Sequence, residues 1–277
     1  MERLQAAIEK ARAQRKTPPN ARHASVAKRG RSETRGSASV DALWEDLPEI
    51  RLDRRDLRRG RVVTLEPNAD GAAYDLLRTR LLQQAQQKGW KTIGFVSPLS
   101  GCGKSTSVAN LAFSLSRQQD TSSLILDFDL RRRGLTALLG QKPRKGLVDM
   151  LKGKSHFSEL GLRHAENVAF GLIDQTTKNA SEILQSGKTD TVLQTLDDEY
   201  QPDLILFDLP PLMATDDNFG FLNKIDAAVI MAAAEQTTMS QIDIAERQVA
   251  ELTNVMGVVL NQCRFNAGAY GQDYGYY

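Results

Sequence analysis

The chain has 277 residues, of which 41% are hydrophobic, and this is enough to bury the core of one large or two small domains. No apolar run approaches the ~18 residues of a membrane-spanning helix, since the longest, residues 227–234, lies between charged residues. Two cysteines and a polar, charged N-terminus predict neither a disulfide framework nor a secretory signal. We therefore expect a cytoplasmic protein.

The net charge of +2 is unevenly distributed along the chain. Residues 1–62 contain 16 Lys and Arg against 9 Asp and Glu, whereas the remainder carries a net charge of −5. This asymmetry predicts a basic arm at residues 1–61 attached to a main domain at residues 62–264. The abundance of Gly and Tyr at the end of the chain predicts a separate tail at residues 265–277.

The arm begins with good helix formers and a narrow apolar stripe at residues 2–16, which predict a short amphipathic helix. Residues 17–40 contain two prolines and a run of basic residues, which predict a disordered linker. Attraction to anionic lipid is the alternative, but the lack of interleaved aromatic residues argues against nucleic acid. The scattered apolar residues of 41–66 are expected to pack against the main domain.

After an amphipathic helix predicted at residues 72–87, strand and helix patterns alternate. The strand candidates are mostly continuous apolar runs, which are typical of strands buried on both faces. They lie at residues 92–97, 123–128, 168–173, 203–208, 226–232 and 256–261. The helical stretches lie between them, at residues 105–118, 134–139, 181–196, 216–223 and 239–253. This order predicts an α/β fold with a doubly wound, mainly parallel sheet.

The loop after the first strand predicts a phosphate-binding P-loop, and hence the P-loop NTPase type of this fold. Glycines allow backbone N–H groups to surround a phosphate, Lys104 is placed to reach the phosphates, and the Ser105 hydroxyl is placed to bind Mg²⁺. Pro98 replaces the first glycine of the strict pattern. The nucleotide-binding residues that we predict are Ser100, Gly101, Cys102, Gly103, Lys104, Ser105 and Thr106.

Acidic residues follow two of the apolar strands. Asp127 and Asp129 end one strand, and Asp208 ends another. Phosphoryl transfer needs carboxylates to hold Mg²⁺ and a group to orient or deprotonate the nucleophile. Arg131, two residues after Asp129, is predicted to pair with a carboxylate or a phosphate. Arg132 and Arg133 are expected to lie on the surface.

These motifs resemble the cytoplasmic kinase domain of the bacterial tyrosine kinases (BY-kinases) of exopolysaccharide and capsule export. The resemblance covers roughly residues 62–277, and its most diagnostic part is the aliphatic run followed by Asp127, Asp129 and Arg131. The lack of a transmembrane half resembles the free-standing subtype. The helix motif used by that family in ring assembly keeps only its last residue, Arg78, because Ala72 and Asp75 replace the other two.

The resemblance implies an ATP-dependent protein-tyrosine autokinase that uses ATP and Mg²⁺. Lys104 and Ser105 would bind nucleotide and metal, Asp129 and Asp208 would support the metal, and Asp127 would be the base, although the division among the three carboxylates stays open. The implied partners are a membrane-bound polysaccharide chain-length regulator, other copies of the chain and an opposing phosphotyrosine phosphatase. The protein would then lie at the inner face of the membrane through its partner.

Four of the six tyrosines fall in the last eight residues, among glycines that argue against a packed element. Tyr270, Tyr274, Tyr276 and Tyr277 are therefore predicted to be autophosphorylation acceptors, with a sticky aromatic tail as the alternative. Two other functions remain open at this point. One is an ATPase switch of the Min/Par type, although Leu99 stands where those proteins place a signature lysine. The other is a scaffold that binds ATP without turnover.

Overall fold

The computed structural model describes residues 37–263, with side chains from residue 40 onward. The helix predicted at residues 2–16, most of the predicted linker and the four tyrosines of the tail lie outside the described residues. The last residues of the predicted linker, however, belong to a helix that begins at Ser37.

Seven strands and nine α-helices make up the described chain. The strands are β1 (Thr92–Val96), β2 (Ser123–Asp127), β3 (Leu162–His164), β4 (Val168–Gly171), β5 (Leu204–Asp208), β6 (Ala227–Ala233) and β7 (Asn254–Asn261). The helices are α1 (Ser37–Glu45), α2 (Arg54–Arg59), α3 (Ala72–Lys88), α4 (Lys104–Leu115), α5 (Gly134–Leu138), α6 (Leu147–Leu151), α7 (Ala180–Gln185), α8 (Gly187–Tyr200) and α9 (Met239–Leu252). Short 3₁₀ turns lie at Ala69–Gly71, Phe157–Glu159 and Leu222–Lys224.

The strands form one sheet in the order β3-β4-β2-β5-β1-β6-β7, and every neighbouring pair is parallel except β3 and β4. The predicted doubly wound, mainly parallel sheet is thus confirmed. Helices cover both faces of the sheet, so successive residues of β2 are buried on alternate sides. Leu124 and Leu126 lie in the core on one side of the sheet, and Ile125 lies in the core on the other. The carboxyl ends of β1, β2 and β5 are neighbours in this order, so the P-loop and the acidic strand ends meet at one edge.

Two predicted helices differ from the structure. The stretch at 181–196 is two helices, α7 and α8, because Ser186 adopts extended backbone between them. The stretch at 216–223 contains only the 3₁₀ turn at Leu222–Lys224. Here Asp217 and Asn218 use their side chains in buried contacts with Arg131 and with the Pro210 carbonyl, and such bonds compete with a regular helix.

The compact unit of the described chain begins at Ser39, so the boundary predicted at residue 62 lies inside it. Trp44 and Leu47 are buried in one core, and Ile50 and Leu57 are buried in the other. Because these apolar side chains are almost fully buried, the segment that contains them is part of the folded domain. Within residues 37–263, no helix combines the length and the apolar character needed to cross a bilayer.

A matched pair of leucine truncations tests the placement of this segment. Leu57→Ala should lower the free energy of unfolding by about 2–4 kcal/mol, because the 2%-exposed Leu57 side chain would leave a cavity beneath α2. Leu76→Ala on α3 removes the same atoms from a side chain that is 45% exposed, and should cost less than about 1 kcal/mol. Urea denaturation measures both. Equal, small losses would show that α2 is not packed as described.

Candidate nucleotide site

The P-loop connects β1 to α4 and adopts a conformation that needs glycine. Gly101 and Gly103 have φ angles of 86° and 84°, in the left-handed region. The Asn261 amide donates to the Cys102 carbonyl at 2.9 Å, and the Gln262 amide donates to the Gly101 carbonyl at 2.7 Å. Because a trans peptide directs its N–H opposite to its carbonyl, these bonds point the next N–H groups away from β7. The loop is therefore fixed with its amides free to bind an anion.

A cavity of about 390 Å³ lies over this loop. Six of the seven predicted nucleotide-binding residues line it, and the exception is Cys102. The Cys102 thiol is 2% exposed and points toward the Leu99 carbonyl, 3.3 Å away. It therefore contributes its backbone to the loop, and its side chain packs into the core.

Lys104 is the first residue of α4 and is almost fully buried, with its ammonium donating to the Ser97 hydroxyl at 2.9 Å. Burial lowers the pKa of Lys104, whereas the nearby carboxylates of Asp208 and Asp129 oppose that shift. The lysine therefore lies beside two of the three predicted acidic residues. A cation held at the start of a helix is placed to bind phosphate oxygens.

Asp208 ends β5 with its carboxylate fully buried, and neither oxygen accepts a well-oriented hydrogen bond, although the nearby Ser105 hydroxyl acts to lower its pKa. Burial raises its pKa to about 6, with the Lys104 ammonium opposing the rise. A Cβ atom built on Gly134 would lie 2.8 Å from the Ser105 hydroxyl and 4.0 Å from Asp208 Oδ2, so the glycine keeps the space beside both groups open. An orphaned carboxylate facing a P-loop hydroxyl fits a Mg²⁺ site.

Asp127 is paired in register with Asp208 on the neighbouring strand, and it is also fully buried. Its Oδ2 accepts from the Thr136 hydroxyl at 2.8 Å and from the Thr136 N–H at 3.1 Å. Burial raises the pKa of Asp127 well above its usual range, and the Asp208 carboxylate raises it further. Asp127 does not line the cavity, whereas Asp129 does.

Asp129 lies just beyond β2 and is 8% exposed. Burial raises the pKa of Asp129, and the Lys104 and Arg132 cations oppose that rise. Among residues 37–263, no three His, Cys, Asp or Glu side chains are grouped closely enough to enclose a metal by themselves. A P-loop site needs no such cage, because Mg²⁺ is usually held by one or two carboxylates together with phosphates and water.

Arg131 was predicted to pair with a carboxylate or a phosphate. In the structure it pairs with a carboxylate, and it does not line the cavity. Its guanidinium forms two hydrogen bonds with the buried Asp217, at 2.7 and 2.8 Å, and a third with the Lys178 carbonyl at 3.2 Å. The neighbouring Arg132 is exposed, as expected, and it also lines the cavity. Arg131 therefore joins two loops at the sheet edge, and its catalytic role remains a prediction.

Arg59, Arg61 and Gln262 also line the cavity and were not predicted. Arg59 and Arg61 lie some 40 residues before the P-loop, and Gln262 lies 159 residues after Gly103. A local motif contains no information about such long-range contacts. The only signal available was the density of arginine in residues 51–61.

The sheet order, the glycine turn and the buried carboxylates together define a P-loop nucleotide-binding protein. No protein-family model matches the chain. The chain is 32% identical over 207 residues to the tyrosine-protein kinase Wzc of Salmonella typhimurium, covering 73% of this chain and 28% of Wzc. It is 25% identical over 227 residues to the tyrosine-protein kinase YwqD of Bacillus subtilis, covering 80% of this chain and 92% of YwqD.

Among solved structures, the kinase domain of the Escherichia coli tyrosine kinase ETK is similar in fold. Its TM-score is 0.65 at 22% identity, and the match covers 75% of this chain and 81% of that one. The chain belongs to the bacterial tyrosine kinase (BY-kinase) family. It spans less than a third of the length of the first curated relatives that it matches, 27% to 32%.

Proposed function

We propose that the chain is an ATP-dependent protein-tyrosine kinase that phosphorylates its own C-terminal tyrosines, Tyr270, Tyr274, Tyr276 and Tyr277. The observation that carries this proposal is the convergence at one sheet edge of the P-loop lysine, the Ser105 hydroxyl and an orphaned buried carboxylate, Asp208. The names of the relatives support tyrosine as the acceptor.

In this proposal the P-loop amides and Lys104 bind the phosphates of ATP. Ser105 and Asp208 would hold Mg²⁺, which when bound neutralises charge on the transferred phosphoryl group. Gly134 leaves the room that this arrangement needs beside Ser105 and Asp208.

The tyrosine oxygen attacks the terminal phosphorus of ATP, the bond to the bridging oxygen breaks, and ADP leaves. The phenolic proton passes to a carboxylate. The sequence resemblance nominated Asp127, but Asp127 is fully buried and has one oxygen bonded twice by Thr136. Because a base must lie within hydrogen-bonding reach of the proton, we assign the proton to Asp129, which lines the cavity.

The wider role follows from the family. We propose that phosphorylation of the tail regulates exopolysaccharide polymerisation or export, because several phosphates of about −1.5 to −2 charge each would repel one another and weaken self-association. A membrane-bound chain-length regulator would then activate the kinase and hold it at the inner face of the membrane. A phosphotyrosine phosphatase would reverse the reaction.

Mapping of phosphorylated residues after incubation with ATP and Mg²⁺ tests the proposal. We expect mass spectrometry to find phosphate on one or more of the four tail tyrosines, and a variant with all four changed to Phe to lose at least 90% of the phosphotyrosine signal. Phosphate confined to Tyr74 or Tyr200 would contradict the acceptor assignment. ADP release without phosphotyrosine would indicate a Min/Par-type switch, and ATP binding without ADP release would indicate a scaffold.

A further inference from the structure

Two arginines from outside the P-loop line the phosphate cavity. Arg59 is the last residue of α2, and Arg61 follows it by two residues. With Lys104 and Arg132, they give the cavity four cationic side chains against one carboxylate, Asp129. A concave site with this excess of positive charge is suited to a polyphosphate.

The segment that carries these arginines is bonded to the P-loop helix. Asn110, fully buried on α4, donates to the Arg61 carbonyl at 3.1 Å and accepts from the N–H groups of Val63 at 2.8 Å and Thr64 at 3.2 Å. The Thr64 hydroxyl donates to the Asn110 carbonyl at 2.7 Å. The helix that begins with Lys104 therefore also fixes the position of Arg61.

The Arg61 backbone is held in an unfavourable conformation. Its φ angle is 57°, in the left-handed region that non-glycine residues rarely adopt. The hydrogen bond from Asn110 to its carbonyl maintains that conformation. Strained backbone that the surroundings enforce is common at ligand sites.

The two guanidinium groups are available to a ligand. In the part of the chain that the structure describes, no hydrogen bond or ion pair involves the Arg61 side chain. The Arg59 side chain is 84% exposed, and its guanidinium lies 3.6 Å from the Asp56 carboxylate. Solvent-exposed ion pairs of this kind contribute little free energy. Neither arginine side chain would have to break a strong interaction in order to bind a ligand in the cavity.

We propose that Arg59 and Arg61 bind the phosphate chain of the nucleotide and close the cavity from the side of α2. This inference rests on the proposed function for the identity of the ligand, ATP. The planar guanidinium forms paired hydrogen bonds with phosphate oxygens, so the two residues add contacts that Lys104 alone does not make. Residues 59–61 thereby become part of the nucleotide site.

Calorimetric titration of the full chain with ATP, with and without Mg²⁺, tests this inference. Charge-assisted hydrogen bonds of this kind predict a roughly tenfold loss of ATP affinity for Arg61→Ala and a larger loss for Arg59→Ala combined with Arg61→Ala. Arg61→Lys should restore part of the affinity. Arg58→Ala is the matched control, because Arg58 is an exposed arginine of the same helix that does not line the cavity.

Thermal unfolding without nucleotide separates binding from folding, since all the variants should melt within about 2 °C of the wild type. Unchanged ATP affinity in the double variant would overturn the inference, as would an equal loss in Arg58→Ala. A wild type that fails to bind ATP would overturn both this inference and the proposed function. A wild type that binds ATP through these arginines but forms no phosphotyrosine would support the inference and contradict the kinase proposal.

Discussion

Lys104→Met should reduce autophosphorylation by about 10²–10³-fold, the loss typical of removing a preorganised charge from a transition state. Lys104 is only 7% exposed, so little water replaces its ammonium group when it is removed. Its neighbours Asp129 and Asp208 would then present negative charge to an incoming phosphate without compensation. Phosphotyrosine formed per minute, measured by immunoblot or mass spectrometry, reports the effect.

Lys88→Met is the control for this variant, because Lys88 is an exposed lysine at the end of α3. It should retain wild-type activity. A Lys104→Met protein that keeps more than a third of the wild-type rate, while remaining folded, would exclude the P-loop lysine from catalysis and favour the scaffold alternative.

Asp208→Asn should have opposite effects on activity and stability. Activity should fall by about 10²–10³-fold, because the amide removes a charged ligand from the proposed Mg²⁺ site. The ligand-free protein should become more stable, because burial disfavours the charged carboxylate and the neutral amide costs less to bury. Asp120→Asn, at an exposed aspartate, should change neither property.

The stability difference should depend on pH. Burial raises the pKa of Asp208 from its ordinary value of 3.8 to about 6, so the folded state keeps this proton to a higher pH than the unfolded chain does. The wild type should therefore lose stability relative to Asp208→Asn as the pH rises from about 4 to about 6, by about 3 kcal/mol in total. Urea denaturation without Mg²⁺ or nucleotide measures this difference. A constant difference across that range would show that the carboxylate is solvated.

The sequence predicted the central sheet well because its strands are buried on both faces. Continuous apolar runs such as Leu124–Leu126 have no other plausible location in a protein of this size. β3 was not predicted, because a strand of three residues is too short to show a recognisable alternation of apolar and polar residues. It is defined by its pairing with β4. The division between α7 and α8 was missed because Gly187 within a helical pattern does not by itself specify a break.

The site was predicted as far as local sequence determines it. The P-loop fixes its own geometry through glycines and the start of a helix, so Lys104 and Ser105 could be placed. The sequence favoured Arg131 over Arg132, but which of the two lines the cavity depends on the turn after Asp129 and on Asp217, 86 residues from Arg131. Arg61 is held beside the cavity by long-range contacts such as the hydrogen bond from Asn110, which the sequence pattern does not indicate.

The two margins of the sheet differ in a way that bears on assembly. The Ile50 N–H donates to the Arg163 carbonyl and the Arg163 N–H donates to the Pro48 carbonyl, both at 2.8 Å, so residues 48–50 run beside β3 and occupy its outer side. Within residues 37–263, no strand pairs with the outer side of β7, where Val258 and Leu260 are 47% and 60% exposed. Among the described residues, β7 is therefore the margin at which an additional strand could extend the sheet, and its last residue, Asn261, binds the phosphate loop.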